Sequence, residues 1–156
     1  MFLYSLLALA VVTALIFAAP LKAKVWATLA VVAAGALWAS ATAVGVLAGG
    51  HTVRLWATDV FLFGSDAGSM DPLSALFALI VSVGAVAAVL YSRGYLAHYL
   101  GRKSPAHISL HYTALATMFY AMLGVVTSEG GFSFLFFWEL MTVASFLLIP
   151  VSYTHL

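Results

Sequence analysis

FSFLFFWELMTVASFLLIPV, residues Phe132 to Val151, is a continuous apolar run with a single charge, Glu139. About 20 apolar residues suffice for a helix to cross a bilayer, so the run predicts a membrane span. A charged side chain near the middle of such a span costs roughly 2.5–3.5 kcal/mol on insertion scales and seldom sits there without a role. Glu139 lies seven positions from Phe132, roughly 10 Å below the boundary at 1.5 Å per residue. Thr142 and Ser145 fall within about 120° of arc of it, giving the helix one polar face and one face of Phe, Leu and Val.

The surrounding chain has the composition such a helix needs. It is 156 residues long, 65% hydrophobic and 7% charged, against about 25% charged in a soluble domain. This is the composition of a membrane protein. A net charge of +1 and no basic cluster argue against a nucleic-acid partner. The absence of cysteine removes disulfides, thiolate-held iron–sulfur clusters and cysteine zinc sites.

Outward from that helix, four more spans are predicted. Met1 to Ala19 is apolar and lacks the positive leader of a signal peptide, so it reads as a retained span. Val25 to Gly49 is the second, with a Gly45–Gly49 spacing that permits close helix approach. Gly50 to Pro72 holds β-favouring residues followed by Gly64, Ser65, Asp66 and Gly68, read as turn-forming. A short external strand or hairpin is expected there, with Asp71 as N-cap and Pro72 as first residue of the next helix. Leu73 to Tyr91 is the third span, with small residues Ser74, Ala78, Ser82 and Ala85 on one face. Ile108 to Thr127 is the fourth, with Thr113, Thr117, Tyr120 and Thr127 in a narrow polar stripe, and Ser128 to Gly131 is a turn into the fifth.

The fold class is therefore an all-α membrane protein of about five transmembrane helices, with a short external hairpin between the second and third. Residues 1–69 form two spans and the hairpin, 70–150 hold the remaining three spans, and 151–156 are a tail of different character. Five of the six basic residues (Lys22, Lys24, Arg93, Arg102 and Lys103) then share one side, and only Arg54 lies on the other. The positive-inside rule places the N-terminus outside, in a cell inner (plasma) membrane.

The acid lacks a partner in this reading. All six basic residues are assigned to connections, and His111, which enters from the opposite side, is offset from Glu139 by roughly 15 Å along the membrane normal. Without a partner the carboxyl is favoured in its neutral form. Two roles remain for Glu139: a protonated acid hydrogen-bonded within a bundle, or half of a proton path completed elsewhere. His111 is an interfacial residue or a second proton-path group. His51, His98, His107 and His155 show no metal-ligand spacing, and no phosphate loop or nucleophile motif occurs, so no metal, cofactor or catalytic centre is expected in this chain.

Two motifs carry a resemblance. MDPLSALFALIVSVGAVAAVLYSRGYL (Met70 to Leu96) and FFWELMTVASFLLI (Phe136 to Ile149) resemble the antiporter-like, proton-translocating membrane subunits of the complex I and hydrogenase-4 superfamily. The nearest resemblance is to hydrogenase-4 component B, formate hydrogenlyase subunit 3 and the chain-5 subunit of NADH–quinone oxidoreductase. It implies that Glu139 pairs with a lysine on a later helix and that the pair passes protonation changes along a hydrated axis. It also implies that this chain is an N-terminal fragment, that 70–150 are the truncated start of an antiporter-like transmembrane domain, and that 151–156, which depart from the family pattern, are a non-native tail. The expected function is proton translocation driven by electron transfer in partner membrane subunits of an NADH–quinone oxidoreductase or hydrogenase complex. Glu139 would be the main group, with His111, Thr142 and Ser145 in lesser roles. The alternatives are a subunit of a multi-subunit sodium/proton antiporter and a non-transporting structural subunit.

Overall fold

The computed structural model describes residues 11, 14, 16–20, 23–60, 64–97 and 105–153. Its elements are α1 (Lys24–Gly49), β1 (Val53–Val60), β2 (Gly64–Met70), α2 (Pro72–Ala97), α3 (Pro105–Thr127) and α4 (Gly131–Tyr153). All four helices are long and apolar enough to cross a membrane. The predicted first span falls mostly outside the described residues, of which 11, 14 and 16–18 are helical. Arg102 and Lys103 lie outside them too. The fold class is as expected: mostly helical, with a two-stranded hairpin after the second predicted span.

One basic residue departs from the predicted placement. Lys24 is the first residue of α1 and only 3% exposed, where the sequence reading left it in a connection. Its Nζ donates to the carbonyls of Ile16 and Phe17, each at 2.9 Å. The cause is local, because Pro20 has no N–H and cannot supply the bond that the carbonyl of residue 16 would receive in a helix. The lysine supplies it instead. Pro20 in turn accepts from the N–H groups of Ala23 and Lys24, which turns the chain into α1.

The hairpin is antiparallel, with Val53 opposite Met70, Thr58 opposite Asp66 and Val60 opposite Gly64, and with a bulge between Arg54 and Trp56. Ser65, Asp66 and Gly68 are strand residues rather than the predicted turn. Gly64, at φ 79°, absorbs the backbone reversal, so the residues after it are free to pair. Strand alternation then puts Asp66, Gly68 and Met70 on the covered face. Trp56 lies over Gly68, where any Cβ would collide with the indole. Asp71 caps α2 as expected, its Oδ1 accepting the N–H of Ser74 at 2.7 Å.

Packing among the helices uses small side chains. α1 buries Thr28, Val32, Ala36, Ala39, Ala43 and Val46 at three- or four-residue steps, along its contact with α2. The facing stripe of α2 buries Ala75, Ala78, Ser82, Val89 and Ser92. This agrees with the predicted small-residue face and suits association in lipid, where close approach replaces hydrophobic driving force. The Gly45–Gly49 pair does not take part. Gly45 is exposed with no described atom near its Cβ position, and Gly49 faces the ring of His51. Arg93 stacks on Trp26, 5.2 Å from the ring centroid, joining the start of α1 to the end of α2. The basic residues Lys24 and Arg93 thus share the end opposite the hairpin.

Candidate functional site

Glu139 is eight residues into α4, about 12 Å along the axis at 1.5 Å per residue. Its side chain is exposed, on a helix face shared with Leu135, Thr142, Val143 and Phe146. At 100° per residue these four lie within about 60° of it on either side, so the acid stands near the middle of that face. The opposite face carries the buried residues Ser133 and Ala144 and packs on α3. Among the described residues no hydrogen bond or ion pair reaches the carboxyl. The open face of α4 is where the acid must meet whatever it works with.

The neighbouring candidates fall into two groups. Thr142 shares the open face, but its hydroxyl donates to the carbonyl of Trp138 at 3.0 Å. Ser145 is half-buried and donates to the carbonyl of Thr142 at 2.8 Å. Both therefore spend their hydrogens within the helix, and as acceptors they remain usable. His111 belongs elsewhere. It is buried in α3 with its ring edge-on to Tyr112, at 5.6 Å and 80°. With α3 and α4 joined by a short turn at the hairpin end, its axial offset from Glu139 is about 12 Å. The structure does not bring His111 and Glu139 together, and the imidazole is buried within the described bundle.

Of the predicted polar stripe of α3, Tyr120 reaches to α1 rather than to Glu139. Tyr120 donates to the carbonyl of Val31 at 2.8 Å, across to α1. Gly35 makes room, since a Cβ there would come 2.6 Å from the Tyr120 hydroxyl. Thr127 donates back to Leu123 at 2.8 Å. The Tyr120 hydroxyl fastens α3 to α1, and that of Thr127 stays within its own helix.

A second acid, placed in the turn by the sequence reading, proves structural to the site. Asp66 is 6% exposed and reaches the first turn of α4. Its Oδ2 accepts the Ser133 N–H at 2.9 Å and its Oδ1 accepts the Ser133 hydroxyl at 3.0 Å. Oδ1 also takes the N–H of Ala67 at 2.8 Å. The carboxylate thus caps the helix that carries Glu139, where orphan N–H groups and the helix dipole favour an anion. Gly130 lies against it, and a Cβ there would run into Oδ1. Beside the clamp, Glu129 N–H donates to the carbonyl of Ala67 at 2.9 Å, and Gly68 pairs with Ser128. A cleft of about 490 Å³ opens alongside, between Arg54, Asp59, Asp66 and Glu129. No group of three or more His, Cys, Asp or Glu is placed to hold a metal among the described residues.

Four long apolar helices packed through small residues define a multi-pass membrane protein. No family model matches the chain. It is similar to a protein of Staphylococcus saprophyticus named "Putative antiporter subunit mnhA2", 35% identical over 85 residues, which is 54% of this chain and 10% of that protein. A protein of the same name in Staphylococcus aureus strain JH9 is 35% identical over 86 residues, 55% of this chain and 10% of the relative. The chain spans about a tenth of the length of these curated relatives. They bear antiporter names, where the sequence reading had put hydrogenase and dehydrogenase subunits first.

Proposed function

We propose that this chain is part of an antiporter-type membrane subunit in which Glu139 takes up and releases protons in exchange for a cation. The carrying observation is the place of the acid: about 12 Å along α4, central on a face left uncovered by the described helices. Desolvation there makes an isolated charge costly, so a basic side chain on a helix outside this sequence would complete the pair. Protonation of one partner then changes the proton affinity of the other, which is how charge can be handed along a series of such pairs. Thr142 and Ser145 would serve as acceptors beside the path. The hairpin end would face outside, by the rule that places Lys24 and Arg93 within, and other membrane subunits would complete the complex.

The antiporter names of the relatives favour cation exchange over electron transfer as the driving force. Proton translocation in a dehydrogenase or hydrogenase complex stands second, resting on the Phe136 to Ile149 motif common to both, with any redox cofactor held by partner subunits.

The test is Glu139→Gln in the full-length protein within its complete complex, assayed in inverted vesicles by sodium pulses and a pH-sensitive dye. Exchange should fall at least about tenfold, the rate equivalent of about 1.4 kcal/mol, with complex assembly unchanged. Exchange at the parental rate would overturn the proposal. If Glu139→Leu instead stabilises the complex at no functional cost, the acid belongs to a structural subunit.

A further inference from the structure

The transport reading makes the direction in which Glu139 points decisive, and the fold holds that direction from a distance. Six residues separate Ser133 from Glu139, which is about 9 Å along α4 and about 120° around it. Ser133 faces inward, 1% exposed, while Glu139 faces the open side. A rigid helix converts any rotation at Ser133 into the same rotation at Glu139. With side chains reaching about 5–6 Å from the axis, a turn of about 30° sweeps the carboxyl through about 3 Å. That displacement is enough to open a hydrogen-bonded pair.

Rotation at Ser133 is opposed at two points. A single bond from the backbone N–H to Oδ2 would leave the helix free to swivel about it, and the bond from the hydroxyl to Oδ1 removes that freedom. Asp66 cannot follow a rotating helix, because Oδ1 is also tied to its own strand at Ala67 and that strand is paired with β1 opposite Thr58. Depth is fixed by the same contact, with Gly130 allowing the helix start to close on the carboxylate. Packing of α4 along α3, with Phe137 over Gly124, opposes the same rotation farther down the helix, while the backbone bonds of 67–68 to 128–129 hold the turn.

We infer that Asp66, on the surface hairpin, is a positioning residue for Glu139: it fixes the rotation and depth of α4 through Ser133, and so sets where the intramembrane carboxyl meets its partner. This rests on the proposed transport role of Glu139, and the experiment keeps the two separable. Nitroxides are attached at Leu47→Cys and Phe134→Cys, both exposed in the parent structure, in a complete complex stripped of other cysteines. This chain supplies none of its own. Their distance distribution is measured by pulsed electron paramagnetic resonance, and sodium-driven exchange is measured in the same variants without labels.

Asp66→Ala should broaden the distribution or shift it by about 3 Å and lower exchange severalfold. Asp66→Asn keeps one acceptor oxygen but turns its amide N–H groups toward the N–H of either Ser133 or Ala67, so it should restore both only in part. An unchanged distance in Asp66→Ala overturns the inference, as does a shifted distance with exchange still at the parental rate. If Asp66→Ala fails to accumulate, Ser133→Ala replaces it. Losing only the hydroxyl bond should give a smaller shift of the same kind, and a parental distribution would again overturn the inference. Normal exchange in Glu139→Gln would remove the transport reading alone and leave the distance result standing.

Discussion

α3 and α4 are both 23 residues long, yet half of the best membrane window of α3 is buried in the structure and only 11% of that of α4. The more apolar helix is the less buried one: mean hydropathy is 1.9 for α4 and 1.3 for α3. In water that ordering would be a contradiction. In a bilayer it is not, since lipid solvates Leu and Phe as well as a protein core does, and helices are held instead by fit and by polar contacts. α3 has both, with Ala114, Ala116 and Ala121 buried and Tyr120 bonded across to α1. α4 holds to the rest along one side and at its first turn. Its free side carries the one acid at depth.

The strongest attack on this contrast is a branched residue at Gly124. A Cβ there would strike the ring of Phe137, across the contact of α3 with α4. Gly124→Val should cost about 1–3 kcal/mol, as overpacking generally does, read as unfolding by SDS in detergent micelles. Next comes the hairpin end on which both helices depend. Asp71→Ala removes the cap of α2 and should cost about 1 kcal/mol at pH 7. The bonds from Ser74 hold the Asp71 carboxyl below the ordinary carboxylate range. Its contribution is therefore complete above about pH 4 and fades as pH falls through the folded value. Parent and variant should converge in acid, and a gap that persists at low pH would mean that something other than the ionised cap was lost.

A smaller effect is expected from Tyr120→Phe, which deletes the bond to Val31 while keeping the ring. Interhelical bonds in membranes average about 0.6 kcal/mol, so the same unfolding assay should show a loss of that order. The smallest effect belongs to α4. Leu135→Ala on its open face should alter the unfolding of this chain by less than about 0.5 kcal/mol, yet weaken copurification of the remaining subunits from the assembled complex. Should Leu135→Ala cost this chain as much as Gly124→Val, the two helices would be equivalent and the contrast would fail.

Much of this arrangement can be read from local sequence. Asp71-Pro72 announced the start of α2, the β-favouring residues announced β1, and Glu139 stood out in Phe132 to Val151 because its cost in lipid needs no knowledge of the fold. What escaped depends on contacts between distant residues. Asp66 looked like one more turn former beside Gly64 and Gly68, and its partner Ser133 lies 67 residues away. A faint signal existed: α4 opens with a serine three residues after Gly130 and has no acid of its own in the first turn. Lys24 was misplaced for a related reason. A cation beside a proline suggests a loop, and only the positions of the carbonyls of residues 16 and 17 show that the side chain folds back. The polar stripe of α3 was correctly seen as a stripe, but periodicity gives a direction relative to the helix and not to its neighbours.

The corner at Pro20 carries a consequence of its own. The amino group of Lys24 donates to two main-chain oxygens, which take the place that water oxygens hold around a free ammonium ion. Methionine would match its shape but strand two carbonyls at the edge of the lipid, and arginine would bring a planar fork where a compact tetrahedral donor now sits. The corner is thus a small ion-binding shell whose cation is covalently attached. Its tolerance to mutation should follow the coordination chemistry of an ammonium ion more than the hydropathy of the position.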